Sequence, residues 1–140
     1  MKLNVKNDHK GFTLVEIMIV VAIIALLAAI AVPNFLRARQ RSQATRVLDE
    51  LRLVDSAIDQ YAIENNKKSG DSVNWDDIQK YLKAGTTLAN SGGKDSIGNT
   101  FTYSTVGAGV KVSAATKTEF EEVADTTFWG VFDPGASTGT

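Results

Sequence analysis

The sequence contains no cysteine and only one histidine, and this scarcity of reactive side chains narrows the chemistry open to the chain. Without thiols there are no disulfides, no thiolate nucleophile and no cysteine-ligated metal. The histidine, His9, lies in a short polar segment ahead of a long apolar run. We therefore expect no zinc site with imidazole ligands, no Ser-His-Asp or Cys-His catalysis and no histidine pH switch. Isolated serines without a base predict no enzyme and no cofactor.

An excess of positive charge is also lacking. Fifteen basic and sixteen acidic residues give a formal net charge of -1, whereas a nucleic-acid-binding domain usually carries a basic excess. We therefore expect no nucleic acid partner. The sequence has no phosphate-binding loop either, so any ATP hydrolysis would belong to a separate protein. A chain of 140 residues leaves room for one modest domain beside the apolar run.

The longest feature is an unbroken apolar run from Ile17 to Val32, preceded by the residues Gly11-Phe12-Thr13-Leu14-Val15-Glu16. As a helix, residues 12–32 would span roughly 30 Å, which is about the thickness of a bilayer's hydrocarbon core. An ionisable side chain inside such a segment is costly and indicates a function, so Glu16 needs a partner. The run therefore predicts a single membrane span that carries a carboxylate near its start.

The stretch GFTLVE with the apolar run behind it resembles the class III signal of type IV pilins and type II secretion pseudopilins. The resemblance implies that residues 1–11 are a leader peptide, which a prepilin peptidase removes by cutting between Gly11 and Phe12. Phe12 would then be N-methylated. In a filament core, Glu16 would pair with the Phe12 ammonium of a neighbour, because a buried charge needs a paired partner. An ordinary secretory signal peptide, cut at Ala29-Ile30-Ala31, is the alternative interpretation.

Pro33 ends the transmembrane and filament-core segment, residues 12–33, and we expect it to matter for assembly. It lacks an N–H and clashes with the carbonyl four residues back, so we expect a kink or melted turn over residues 29–33. Beyond it, apolar residues recur three and four apart, which predicts an amphipathic helix over residues 34–66. The apolar positions of this pattern are Val47, Leu48, Leu51, Val54, Ile58, Tyr61 and Ala62.

Four arginines follow the predicted bilayer exit: Arg37, Arg39, Arg41 and Arg46. Arg37 and Arg41 share one helix face, where like charges disfavour the isolated helix. Anionic lipid headgroups are one candidate partner, and acidic residues of an adjacent subunit are the other. The acidic residues on offer are Asp49, Glu50, Asp55 and Asp59. Since lysines precede the apolar run and arginines follow it, charge alone does not set the membrane topology.

Residues 67–140 are predicted to form a globular head. Asn74 is a candidate cap for a short helix that extends to Leu82. Alternating apolar residues over 100–112, interrupted by glycines, predict a β-hairpin. Residues 118–125 are expected to form one or two helical turns, and the aromatic residues of 127–132 a last strand. The expected fold class is α+β, with a long N-terminal helix packed on a small antiparallel β-sheet, as in pilins.

Residues 94–103 resemble the D-x-W-G-N-x-Y-x-Y turn of major pseudopilins, with Ile97 in place of the tryptophan. Major pseudopilins carry a calcium site in the C-terminal loop, and the carboxylates on offer here are Asp95, Asp125 and Asp133. EF-hand spacing and the family's glycine-rich acidic loop are both missing. We therefore predict no metal site, with Asp125 and Asp133 as the remaining calcium candidates.

The resemblance implies a structural role. A prepilin would wait in the inner membrane as a single-pass protein with its head in the periplasm, and would be cleaved, methylated and polymerised into a helical filament. Its partners would be copies of itself, related minor pilins, the prepilin peptidase, an inner-membrane assembly platform and membrane lipids. The filament would be a pilus at the cell surface or a pseudopilus in the periplasm. The alternative is a membrane-anchored periplasmic binding module that does not polymerise.

Overall fold

The structure, a computed structural model, describes residue 1 and residues 11–136. Most of the predicted leader, residues 2–10, and the last four residues lie outside the described residues. The chain divides into two compact units, Met1–Leu36 and Arg37–Thr140. In chain order, the elements are helix α1 (Leu14–Glu64), helix α2 (Trp75–Ile78) with a 3₁₀ turn (Gln79–Tyr81), helix α3 (Ala114–Glu119), and helix α4 (Thr126–Trp129) with a 3₁₀ turn (Gly130–Phe132).

The first unit contains the start of α1, where the large apolar side chains of residues 14–36 are all exposed. By length and composition, α1 is the one helix among the described residues that is able to cross a membrane. A helix that is apolar all round needs lipid or other helices around it. Among the described residues of its own unit, this segment has no partner that covers its apolar surface.

Helix α1 continues through Pro33, so the melted turn expected over residues 29–33 is wrong for this structure. Proline removes one backbone hydrogen bond and strains another, at a cost of about 3 kcal/mol. Long helical stretches lie on both sides of Pro33. Because propagation of an existing helix adds one hydrogen bond per residue without a new nucleus, the two sides outweigh a single defect.

The second unit has its core along one face of α1. The buried apolar positions of α1 are six of the seven that the sequence periodicity marked, with Ala44 and Ala57 added, whereas the seventh, Ala62, is only half-buried. From the rest of the chain, the largest fully buried side chains in the same cluster are Trp129, Phe120 and Ile78. The short helices thus supply the bulky groups that cover the apolar face of α1.

The predicted antiparallel sheet is not formed among residues 11–136. The only β pairing there consists of three isolated antiparallel bridges, Ser72–Thr105, Lys94–Thr100 and Thr102–Lys111. The expected hairpin keeps one rung, in which Thr102 N donates to Lys111 O at 3.1 Å and Lys111 N donates to Thr102 O at 2.7 Å. Gly107 and Gly109 both have positive φ, so the backbone turns before a second rung forms.

The strand predicted over residues 127–132 is also wrong, because this segment forms α4 and a 3₁₀ turn. Asp125 caps the helix, since its Oδ1 accepts hydrogen bonds from Phe128 N at 2.9 Å and from Thr127 Oγ1 at 2.6 Å. An aspartate N-cap satisfies donors that a strand would leave to a partner. The helical turns expected over 118–125 are displaced: α3 begins at Ala114, where Ser113 accepts a hydrogen bond from Thr116 N, and ends at Glu119.

Candidate assembly site

Helix α1 begins with a reciprocal cap between Thr13 and Glu16. Glu16 Oε2 accepts hydrogen bonds from Thr13 N at 2.8 Å and from Thr13 Oγ1 at 3.0 Å, and Thr13 Oγ1 accepts from Glu16 N at 3.2 Å. This arrangement is a capping box, which also places a carboxylate where the helix dipole favours negative charge. The Thr-x-x-Glu spacing before an apolar run is its sequence signal, and an argument from membrane cost alone misses it.

Gly11 and Phe12 lie immediately before this cap, in irregular backbone. Phe12 is 83% exposed, and a Cβ added to Gly11 would meet no atom within 4 Å. Glu16 is exposed as well, and its second oxygen, Oε1, accepts no hydrogen bond from residues 11–136. The predicted cleavage point and the predicted assembly carboxylate therefore lie within one short exposed stretch.

The arginines after Pro33 have different environments. Arg41 is held by its own head, where Nη1 donates to Val123 O at 3.4 Å and the guanidinium lies 5.7 Å from the centroid of the Phe128 ring. Arg37 and Arg39 are exposed and form no ion pair with the described residues. Arg41 is thus largely satisfied within the subunit, whereas Arg37 and Arg39 are left for an external partner.

Two of the four acidic residues offered as partners for those arginines, Asp49 and Glu50, also differ in environment. Asp49 is exposed and pairs with Arg52, with Oδ1 3.0 Å from Nη1. Glu50 is only 7% exposed, and its Oε2 accepts a hydrogen bond from Ser96 N at 2.8 Å. Burial raises the pKa of Glu50, against the opposing effect of the Ser96 hydrogen bond. Glu50 therefore ties α1 to its own head, a role that its position in the sequence does not reveal.

A second buried carboxylate, Asp95, organises the loop that contains Ser96, the residue that donates to Glu50. Its Oδ1 accepts from Asn99 N at 2.8 Å and from Ile97 N at 3.2 Å, and its Oδ2 accepts from Thr116 Oγ1 at 2.5 Å. Thr116 Oγ1 also accepts from Asn99 Nδ2 at 3.1 Å. The aspartate of the pseudopilin-like turn thus joins the loop to α3, and the Asp-x-x-Gly-Asn spacing was its only sequence signal.

The two calcium candidates are occupied by protein groups. Asp125 caps α4, and Asp133 is buried with its Oδ2 2.7 Å from Lys117 Nζ. The lysine lowers the pKa of Asp133. Nearby, Lys111 Nζ donates to Val131 O at 2.6 Å and to Ala136 O at 3.1 Å. Among the described residues, no group of three or more acidic or histidine side chains is placed to hold a metal ion.

Comparison with known proteins points to one family. The family model described as the prokaryotic N-terminal methylation motif matches residues 6–32. The type IV major fimbrial protein FimA of Dichelobacter nodosus is 43% identical over 70 residues, which are 50% of this chain and 44% of FimA. The type IV wide pilus major component PilA4 of Thermus thermophilus is 49% identical over 60 residues, 43% of this chain and 46% of PilA4.

A secretion protein is also similar. The type II secretion system core protein G of Klebsiella michiganensis is 32% identical over 62 residues, which are 44% of each chain. The chain spans about half the length of the curated relatives it matches. No solved structure matches. The chain thus carries the prokaryotic N-terminal methylation motif and is similar over about half its length to type IV pilins and to a type II secretion core protein.

Proposed function

We propose that this chain is the structural subunit of a filament, either a type IV pilus or a type II secretion pseudopilus. The observation that carries the proposal is the exposed apolar surface of residues 14–36, which begins at the capped Glu16. Helix–helix burial of such a surface contributes about 25 cal/mol per Å² of apolar area removed from water. The same residues would serve as a membrane anchor before assembly and as a filament core afterwards.

The proposed maturation starts with cleavage between Gly11 and Phe12 by a prepilin peptidase, followed by N-methylation of Phe12. The motif match and the exposure of both residues support this step. The new Phe12 ammonium of one subunit would pair with Glu16 of its neighbour. Because Thr13 already binds Oε2, the neighbour's ammonium would approach Oε1. Such a pair sets the axial register more than it adds stability, since desolvation offsets much of the attraction.

The proposed organisation follows the same order. Residues 12–33 would form the membrane span and filament core, with Pro33 at its end, residues 34–66 the amphipathic helix, and residues 67–140 the periplasmic head. Arg37 and Arg39 would contact anionic lipid headgroups while the subunit waits in the inner membrane. Minor pilins and an inner-membrane assembly platform would be further partners. The relatives, which include both pilus and secretion proteins, support both kinds of filament.

The test combines electron microscopy with mass spectrometry of sheared and periplasmic fractions. We expect filaments whose subunits begin with N-methylated Phe12. Long surface filaments would indicate a pilus, and short periplasmic filaments a pseudopilus. An N-terminus at Val32 would instead support the signal peptide, and a methylated subunit without filaments would support the anchored binding module.

Glu16→Val should still insert and be cleaved but should reduce the filament yield at least tenfold, because the Phe12 ammonium of a neighbour would lose its partner. The yield is measured by immunoblotting of the sheared fraction against the membrane-bound pool. Lys68→Gln, an exposed change in the head, is the matched control and should assemble normally. A normal filament yield from Glu16→Val would contradict the proposed pairing.

A further inference from the structure

An apolar groove of about 440 Å³ runs along the head between α1 and the segment of residues 81–88. Its apolar lining comes from Leu53 and Ala57 of α1 and from Leu82 and Leu88 on the opposite side. Leu53 is 56% exposed, although the other three apolar side chains of the lining, Ala57, Leu82 and Leu88, are buried. The head thus presents a concave apolar surface that its own side chains leave open.

Glu50 places a carboxylate in the lining of this groove. Oε2 accepts a hydrogen bond from Ser96 N, whereas Oε1 accepts none from residues 11–136 and forms an ion pair with Arg46 Nε at 3.9 Å. That distance is too long for a hydrogen bond, and the Arg46 side chain is 66% exposed. A carboxylate oxygen held among apolar walls favours a cationic partner that brings hydrogen-bond donors with it. Oε1 of Glu50 is therefore left without a hydrogen-bond donor in the lining of the groove.

An arginine side chain fits this combination. Its aliphatic stem packs along apolar surface while its guanidinium donates to a carboxylate in a fixed geometry. The chain itself offers Arg37 and Arg39, which are exposed and have no ion pair among the described residues, whereas Arg41 is held by its own head. Contacts between identical subunits in a helical filament join two different surfaces of the same chain. The groove lining holds Arg46 and Lys83 as well as Asp49 and Glu50, and Asp49 already pairs with Arg52. The acceptor that the groove offers to an arginine of residues 37–39 is therefore Glu50 alone.

We infer that the groove receives residues 37–39 of a second copy of this chain, with an arginine guanidinium bound to Glu50. The inference rests on the proposed function, because the filament is where a second copy would present this segment. Of the acidic residues of α1 that the sequence offered as partners, the inference selects Glu50 as the one that binds the arginine. Leu53 supplies the apolar wall for the arginine stem, and Asp49 lies beside the groove as a secondary acid.

The absence of cysteine allows a direct test by disulfide cross-linking in filaments. Ser42→Cys places a thiol one helical turn from Arg39, and Thr87→Cys places one on the groove wall; both positions are exposed. Oxidised filaments of the double variant should give a ladder of dimers and higher multimers on non-reducing gels. The matched control pairs Ser42→Cys with Ser104→Cys, an exposed position outside the groove lining, and should give at least tenfold less ladder.

A second measurement keeps the inference testable if the cysteines disturb assembly. The double variant Arg37→Gln/Arg39→Gln leaves the head contacts intact and should lower filament yield at least fivefold, and Glu50→Gln should do the same while still accepting the Ser96 hydrogen bond. Suppose that the wild-type chain forms filaments but the Ser42→Cys/Thr87→Cys variant gives no ladder, or gives one no stronger than the control pair. That result would overturn the inference and leave the proposed function standing. Normal yield from all the charge variants would overturn it too. Failure of the wild-type chain to form filaments would contradict both.

Discussion

The two ends of α1 differ in where their partners are. Residues 14–36 expose every large apolar side chain, whereas the later part of the same helix buries Ala44, Val47, Leu51 and Val54 completely. The first stretch is apolar on all faces, and the second has one apolar face and one charged face. One helix therefore serves two kinds of burial, the first completed only by lipid or other chains and the second completed within the head.

The largest expected effect is on the free energy of unfolding of the head, when a leucine in each of the two stretches is changed to alanine. Leu51→Ala removes a fully buried side chain and should destabilise the head by about 2–5 kcal/mol, because the cavity does not fully collapse. Leu26→Ala, at a position that is 64% exposed, should leave head stability unchanged. Chemical denaturation of the detergent-solubilised full chain, followed by tryptophan fluorescence, measures both. Equal destabilisation by the two changes would contradict the division of α1.

The next effect concerns the polar interior of the head. Asp95→Ala leaves the N–H groups of Ile97 and Asn99 without their acceptor and should cost about 2–3 kcal/mol. Asp76→Ala is the control, because Asp76 is exposed and accepts no hydrogen bond among the described residues. The same denaturation assay applies. A loss below about 0.5 kcal/mol for Asp95→Ala would show that the network is dispensable.

A smaller effect depends on pH. Lys117 lowers the pKa of Asp133 in the folded state, so the pair contributes stability above the ordinary Asp pKa of about 3.9 and loses it as pH falls through the folded pKa. Lys117→Met should therefore be less stable than wild type at neutral pH, and the difference should begin to close as the pH falls below about 4. Melting temperatures from pH 3 to pH 7 provide the check. A difference that is constant over this range would exclude the ion pair as its cause.

The smallest expected effect compares neighbouring arginines. Arg41→Gln removes the contact with the Phe128 ring and should lower head stability by about 0.5–1 kcal/mol. Arg39→Gln should leave head stability unchanged, because Arg39 has no ion pair among residues 11–136. Chemical denaturation of the detergent-solubilised full chain measures both changes. If Arg39→Gln destabilised the head as much as Arg41→Gln, the Arg39 side chain would not be free for a second copy.

The periodic and compositional features of the chain were predictable before the structure. The apolar run, the processing motif and the buried face of α1 are local patterns, and the family comparison agrees with the first two. The short elements were not predictable in the same way. Residues 127–132 have the aromatic content of a strand, yet the Asp125 cap makes them helical, and the single Thr102–Lys111 rung cannot extend past two glycines.

The roles of the charged residues were the least predictable. By sequence spacing, Glu50 and Asp49 are equivalent acids, and Arg37, Arg39 and Arg41 are equivalent bases. Only folding buries Glu50 against Ser96 and brings Arg41 to Val123 and Phe128. These contacts join residues 46 and 82 positions apart in the chain. No local pattern encodes which of two neighbouring charges such a contact selects.

The amino-acid sequence by itself determined the apolar helix, its length, its carboxylate and the N-terminal methylation motif, because each depends on neighbours within a few turns. Tertiary structure alone decided that the head is built from short helices and isolated bridges, that Asp95 and Glu50 are internal, and that a groove with one open carboxylate oxygen remains. Those outcomes depend on which distant segments share a core, and burial changes the energy of a charge or a hydrogen bond far more than its place in the chain does.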